Sequence, residues 1–268
     1  MDLVVVASIN TAHESNAKSA IDAGVAVVVD KPMATTLAGT RELFNYAESK
    51  NVPITVYFNR LWDSDTLTIK EMLSSKDNPI GTPHRFDGRF ERFRPDLAAQ
   101  SWREQLRSQH GGGLLLDLQS HLISTAIECF GPAKLKYANV QSIRGASDDD
   151  VLLVLEHESG VVSSLCASAI SGAPGPRIRL LGNKGALVIN ELDPQEALLR
   201  AGNYATGEKR SKVELHLGDR VEELPAVPGD YSMFYQKMYQ FLSKGGVLPI
   251  SKSLVLQVAE IIDQARSF

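Results

Sequence analysis

Residues 2–7 form a short, nearly unbroken apolar run, the pattern of a strand buried on both faces. From residue 12 to 23, Ala17, Ala20, Ile21 and Ala23 recur at helical spacing. Thr11 is placed to cap that helix and Gly24 to close it in a left-handed conformation. A second apolar run, 25–29, ends in Asp30-Lys31-Pro32. Another helix is predicted over about 36–50, with Leu37, Leu43, Phe44 and Ala47 on one face, and a third strand over 53–58. Strand, helix, strand, helix, strand with short links is a βαβαβ unit, and it requires a parallel sheet with right-handed crossovers.

The texture changes after residue 60. A helix over 63–75 is expected to be capped by Asp63 or Ser64, and a long strand over 81–93 follows. Three glycines, Gly111 to Gly113, introduce a predicted helix over 114–130. Short β-type runs then dominate: 134–143, 151–157, 161–169, 176–181, 186–190 and 213–217. Turn signals such as Glu158-Ser159-Gly160 and Gly182-Asn183-Lys184-Gly185 separate them. Amphipathic helices over 231–244 and 252–267 finish the chain. Residues 1–60 therefore read as an α/β unit and residues 61–268 as an α+β domain with a large, mostly antiparallel open sheet.

Composition narrows the classes. The 268 residues include 28 Lys+Arg against 32 Asp+Glu, a net charge of −4, with 43% hydrophobic residues. Such a chain is globular, and its mild acidity argues against nucleic acid as the main partner. Cys129 and Cys166 lie far apart, so neither a disulfide framework nor a thiolate zinc site is implied. No basic leader or apolar run of about 18 residues is present, and a cytoplasmic protein without membrane contact is expected.

Three clusters carry candidate chemistry. Ser8, Asn10 and His13 follow the first strand, and Asp30, Lys31 and Pro32 follow the second. Ligands of open parallel sheets sit outside such strand ends. Read blandly, Lys31 is a solvated loop lysine and His13 a surface or cap residue. In the second cluster, Asp117 and His121 are four residues apart on the predicted helix and share a face. An Asp–His pair suits general acid–base chemistry, and the glycines before it would let a ligand approach the backbone. The bland reading is a structural ion pair, and no further ligands for a metal are evident. The third cluster, Arg85 to Arg94 with Trp102 and Arg103 behind it, interleaves basic and aromatic residues, but Asp87, Glu91 and Asp96 among them favour a strand with one charged face.

Together ASINTAH, VVVDKPMATT, FNRLWDSD, RFRPD with SWRE, and GGGLLLDLQSHLI stand in an order and spacing that resembles the glucose–fructose oxidoreductase/inositol dehydrogenase (Gfo/Idh/MocA) family. The chain is more similar to its NADP-dependent scyllo-inositol dehydrogenase-like branch. Two departures stand out: Asp30-Lys31-Pro32 replaces the family's Glu-Lys-Pro, and Gln119-Ser120-His121 its Gly-Ser-His. The first shortens a carboxylate's reach, and the second is expected to narrow the pocket.

The resemblance implies a partial Rossmann-type sheet over 1–60 and a substrate and oligomerisation domain over 61–268. It implies hydride transfer between NADP or NAD and a sugar or polyol. Lys31 would polarise the reacting oxygen, His121 would serve as general base, and Asp117 would bind a neighbouring hydroxyl or fix the histidine. Ser8, Asn10, His13, Asp30, Lys31, Pro32, Asn59 and Arg60 would lie along the cofactor, with Trp102 and Arg103 as wall residues. A homodimer or homotetramer through the open sheet is expected. The family's strand–GxGxxG–helix has no counterpart here, so an N-terminally truncated form, weak or inactive by itself, is the expectation. A non-catalytic sugar-sensing or regulatory protein that reuses the fold stays open as the alternative.

Overall fold

The structure is a computed structural model that describes residues 1–98, 100–107, 110–202 and 210–268. Its first sheet has three parallel strands in the order β1 (Leu3–Val6), β2 (Ala26–Asp30), β3 (Ile54–Tyr57). β2 is central, and Val27, Val28 and Val29 are fully buried, as an uninterrupted apolar run requires. α1 (His13–Asp22) and α2 (Leu37–Ser49) make the crossovers and pack on each other. Thr36 caps α2 by accepting from the Gly39 N–H at 3.0 Å, and Gly24 takes φ +71° after α1.

The start of α1 departs from expectation. Thr11 does not cap it; a 3-10 turn at Asn10–Ala12 precedes the helix, which has no side-chain cap. Tertiary contacts pull this loop out of register. Asn10 Nδ2 donates to the Gly111 carbonyl at 2.8 Å, and the His13 ring bonds the carbonyls of Pro32 and Ser8.

The second sheet has eight strands in the order β11-β10-β9-β8-β4-β7-β6-β5. They are β4 (Pro83–Glu91), β5 (Ala133–Gln141), β6 (Asp150–His157), β7 (Val162–Ser168), β8 (Ile178–Gly182), β9 (Ala186–Ile189), β10 (Val213–Leu217) and β11 (Arg220–Leu224). All neighbours are antiparallel except β4 and β7. Leu153, Leu155, Leu165, Ala167 and Phe86 alternate onto a buried face, against which the helical stretch after Gly113 packs.

That stretch is not the single helix expected over 114–130. α5 (Leu114–Asp117) stops, and α6 (Gln119–Phe130) begins after Leu118, whose φ of −103° breaks the hydrogen-bond ladder. Gln119 does not narrow a pocket; it is buried, and its Nε2 donates to the Val151 and Leu165 carbonyls, fixing α6 to the sheet. α3 (Ser64–Ser74) starts after Asp63, but neither Asp63 nor Ser64 caps it: the Ser64 N–H goes to Asp193 at 2.6 Å. α4 (Trp102–Gln105) and α7 (Gln195–Arg200) are short additions.

The last two helices, α8 (Ser232–Lys244) and α9 (Lys252–Arg266), return to the first sheet. Phe234 of α8 packs on Tyr57 and Trp62, and Asp263 of α9 accepts the Leu37 N–H at 2.8 Å. α9 also contacts α6 and β5, so it ties the two sheets together. Among the described residues no helix is long and apolar enough to cross a membrane.

Candidate active site

The carboxyl ends of β1 to β3 face the end of α5 across a cleft of about 640 Å³, within the range of small-molecule sites. Lys31 stands where β2 ends, on a cis Lys31–Pro32 peptide. Its ammonium donates to the Asp117 carboxylate and to the Asp117 backbone carbonyl, each at 2.6 Å. The helix break at Leu118 explains the second bond, because it leaves that carbonyl at a helix end, open to a cation. Arg103 adds a contact to the same carboxylate at 3.4 Å while stacking on Trp102 at 4.3 Å. Burial pushes the Asp117 carboxyl up, but Lys31 and then Arg103 outweigh it and hold it below its usual value.

His121 lies one turn further, buried, with its ring centroid 6.1 Å from that of Phe90. Its Nδ1 is shielded from solvent and makes no hydrogen bond. Burial first, then the charges of Lys31, Arg60 and Arg177, hold the imidazole well below the usual histidine range. It is therefore neutral at physiological pH and able to accept a proton. Asp117 does not fix it, since the carboxylate is committed to Lys31. The i, i+4 spacing predicts a shared face, but the break between α5 and α6 sends the two side chains to different partners.

The structure brings Asp30, Lys31, Asn59, Arg60, Arg103, Asp117 and His121 to this cleft, although 86 residues separate Lys31 from Asp117. Asp30 accepts the backbone N–H of Lys31 at 2.9 Å, which holds the turn. Arg60 is buried and tethered to Asp63 at 3.2 Å, to Tyr231 at 3.0 Å and to Glu196 at 2.5 Å. Ser8, Asn10, His13, Pro32 and Trp102 do not line the cleft. Asn10 and His13 are joints between loops, and Ser8 is exposed and accepts from Asn16. His13 is thus not a surface residue; it is 1% exposed and does not line the cleft.

The three glycines serve close approach of the protein to itself. A Cβ at Gly113 would lie 1.9 Å from Asp148 Oδ1, and one at Gly112 1.9 Å from the Leu106 carbonyl oxygen. Asp148 shares the cleft wall and is missed by the motif reading; burial pushes its carboxyl up to about 6. Arg92, Arg94 and Arg144 also line the cleft. Arg92 and Arg94 belong to the Arg85 to Arg94 segment, where the charged-face reading gives them no ligand, and Arg144 lies outside every motif. Among the described residues no cluster of His, Cys, Asp and Glu suits a metal.

Known proteins match both parts of the chain. Residues 1–58 match the model of an oxidoreductase family with an NAD-binding Rossmann fold, and residues 66–188 match the GFO/IDH/MocA C-terminal domain. The chain is 35% identical over 275 residues to YdgJ, an uncharacterized oxidoreductase of Escherichia coli, covering 98% of this chain and 77% of that protein. It is 30% identical over 276 residues to IolW, an NADP(+)-dependent scyllo-inositol 2-dehydrogenase of Bacillus subtilis, covering 99% and 76%. A solved structure of YvaA from Bacillus subtilis superposes with a TM-score of 0.87 at 30% identity, covering all of this chain and 78% of that one.

Proposed function

The chain belongs to the GFO/IDH/MocA family of NAD(P)-dependent oxidoreductases, and on that premise we propose that its cleft oxidises a sugar or polyol hydroxyl and reduces the corresponding ketone. The observation that carries this reading is the meeting of Lys31, Asp117 and His121 in one cleft beside the strand ends of a parallel sheet. The similarity to a scyllo-inositol dehydrogenase supports an inositol-like substrate.

The fit to a dinucleotide is good at the nicotinamide end. Val5, Ala7, Asp30 and Asn59 at the strand ends offer small or polar walls there and would hold that half. When bound, NADP or NAD supplies the hydride acceptor. The protein's part is to manage charge on the reacting oxygen. Lys31 keeps one donor free beyond its two bonds to Asp117, and an ammonium beside a hydroxyl lowers its pKa as the C–H bond weakens. His121, neutral and lining the cleft, takes the hydroxyl proton. Charge building on that oxygen offsets the cations around His121 and makes it a stronger base when needed. Asp117 fixes the position of the Lys31 ammonium at the cleft wall.

The test is steady-state oxidation of a polyol panel with NADP+ and NAD+ by the wild type and by His121→Asn. Loss of the base is expected to lower kcat by about 10²–10⁴ with little change in cofactor KM. Turnover retained by the variant, or no turnover of any sugar or polyol by the wild type, would overturn the reading.

We also propose self-association through the outer face of the eight-stranded sheet. Tyr137, Val162 and Val221 are 46%, 40% and 53% exposed there, beside half-buried Leu152 and Val154, and the packed helices lie against the opposite face. An isologous pairing of that face would bury it.

A further inference from the structure

Beyond β4 the chain stays extended, and Phe90, Arg92 and Arg94 all line the cleft, as period-two alternation directs. The backbone there is pinned to the end of β7 and the residues after it. Arg92 N–H donates to the Ser168 carbonyl at 2.9 Å, Arg94 N–H to the Ala169 carbonyl at 2.7 Å, and Ser171 N–H to the Arg92 carbonyl at 2.9 Å. Two guanidinium groups are thus delivered from a fixed strand rather than from a swinging loop.

Other cations of the cleft have acidic partners. Lys31 and Arg103 share Asp117, Arg60 holds Asp63 and Glu196, Arg144 holds Asp149 at 3.0 Å, and Arg200 pairs with Glu196. Among the described residues no hydrogen bond or ion pair reaches the guanidinium of Arg92 or Arg94. The nearby acids are already engaged: Asp117 by Lys31, Asp148 by the Leu115 N–H, and Glu104 by the Ala98 N–H. Arg92 is half-buried, and burial, then the charge of Arg94, lower its pKa. Asp117 and Glu196 act on Arg92 only from beyond ion-pair distance and do not offset its burial and the charge of Arg94, and two like charges on a cavity wall with no acid in direct contact are a site prepared for an anion.

We propose that the substrate is an anionic sugar or polyol whose carboxylate or phosphate is held by Arg92 and Arg94 while a hydroxyl faces Lys31 and His121. The orientation of the hydroxyl rests on the hydride-transfer reading above; the anion site does not. Guanidinium forks match both oxyanions in a bidentate manner, so the charge is assigned and the two oxyanions are left for experiment to separate.

The experiment is calorimetric binding to the full chain, in low and high salt, of D-glucuronate against D-glucose and of myo-inositol 1-phosphate against myo-inositol. In the wild type at least one charged probe should bind about tenfold or more tighter than its neutral counterpart, with the advantage shrinking in salt. Which probe wins tells carboxylate from phosphate. In Arg92→Gln/Arg94→Gln the ratio of charged to neutral affinity should fall close to one, with the far-UV spectrum and melting temperature as controls for folding. Equal affinities in the wild type, an unchanged ratio in the double variant, or no binding of either charged probe at about 10 mM overturns the proposal. So does a double variant that loses NADPH affinity and keeps the sugar ratio, because the arginines then serve the cofactor's phosphates. Failure of turnover alone would sink the hydride-transfer reading and leave the anion site standing.

Discussion

At the scale of single residues, the cleft is governed by how few groups balance its charges. Lys31 and Asp117 have side chains 10% and 26% exposed, so removing one strands the other in a poorly hydrated place. Lys31→Met should cost about 1–3 kcal/mol of stability in chemical denaturation, Arg103 absorbing part of the loss. Lys31→Met/Asp117→Asn should recover much of that while turnover stays lost, the non-additivity expected of a contacting pair. The pH response separates two further groups. His121 is held well below its ordinary 6.5, so the unfolded chain takes up a proton there first. Against His121→Gln, the wild type should lose stability as pH falls below 6.5, at roughly 1.4 kcal/mol per pH unit, and show no slope above it. Asp148 has the opposite sign, because its pKa rises from 3.8 to about 6. Measured against Asp148→Asn, its effect should reduce wild-type stability as pH climbs through that window, by on the order of 3 kcal/mol in all.

At the scale of elements, periodicity located most of the helices and strands, and the exceptions have local causes. The predicted helix over 114–130 carries apolar residues throughout, so its pattern does not show the break at Leu118. β11 was missed because Arg220, Glu222 and Glu223 make it a charged edge strand with only Val221 and Leu224 apolar. Thr36, where the pattern starts its helix, caps α2 in the structure, and Thr36→Ala should cost about 1 kcal/mol in thermal or denaturant unfolding. In contrast, α3 takes its N-terminal acceptor from Asp193, 129 residues away, which no local pattern displays.

For the whole molecule, the eight-stranded sheet has one face sealed by helices and one that ends in solvent. If that outer face pairs two copies, Val154→Lys should shift the protein toward monomer in sedimentation velocity at micromolar concentration, with the melting temperature falling as the protomers separate. A wild type that already sediments as a monomer would remove the basis for that interface. The returning helix α9 is the other large-scale feature. Ile262 is 2% exposed where α9 contributes to the core between α2 and α6.

The sequence by itself determined which stretches bury a face, that the first sheet is parallel, and which residue types stand at its strand ends. These are local properties, because an apolar period reports only on the residues that make it. The ordered motifs were also enough to indicate Lys31, Asp117 and His121 as one group. Only the tertiary structure decided their partners: that Lys31 grips the backbone carbonyl and one carboxylate oxygen of Asp117, that His121 stands apart from that carboxylate, and that Asn10 and His13 join loops outside the cleft. A polar side chain takes its meaning from the segment that packs across from it and from the water excluded there. For Arg92 and Arg94 no acid among the described residues comes within hydrogen-bond or ion-pair distance, although Asp117 and Glu196 stand across the same cleft.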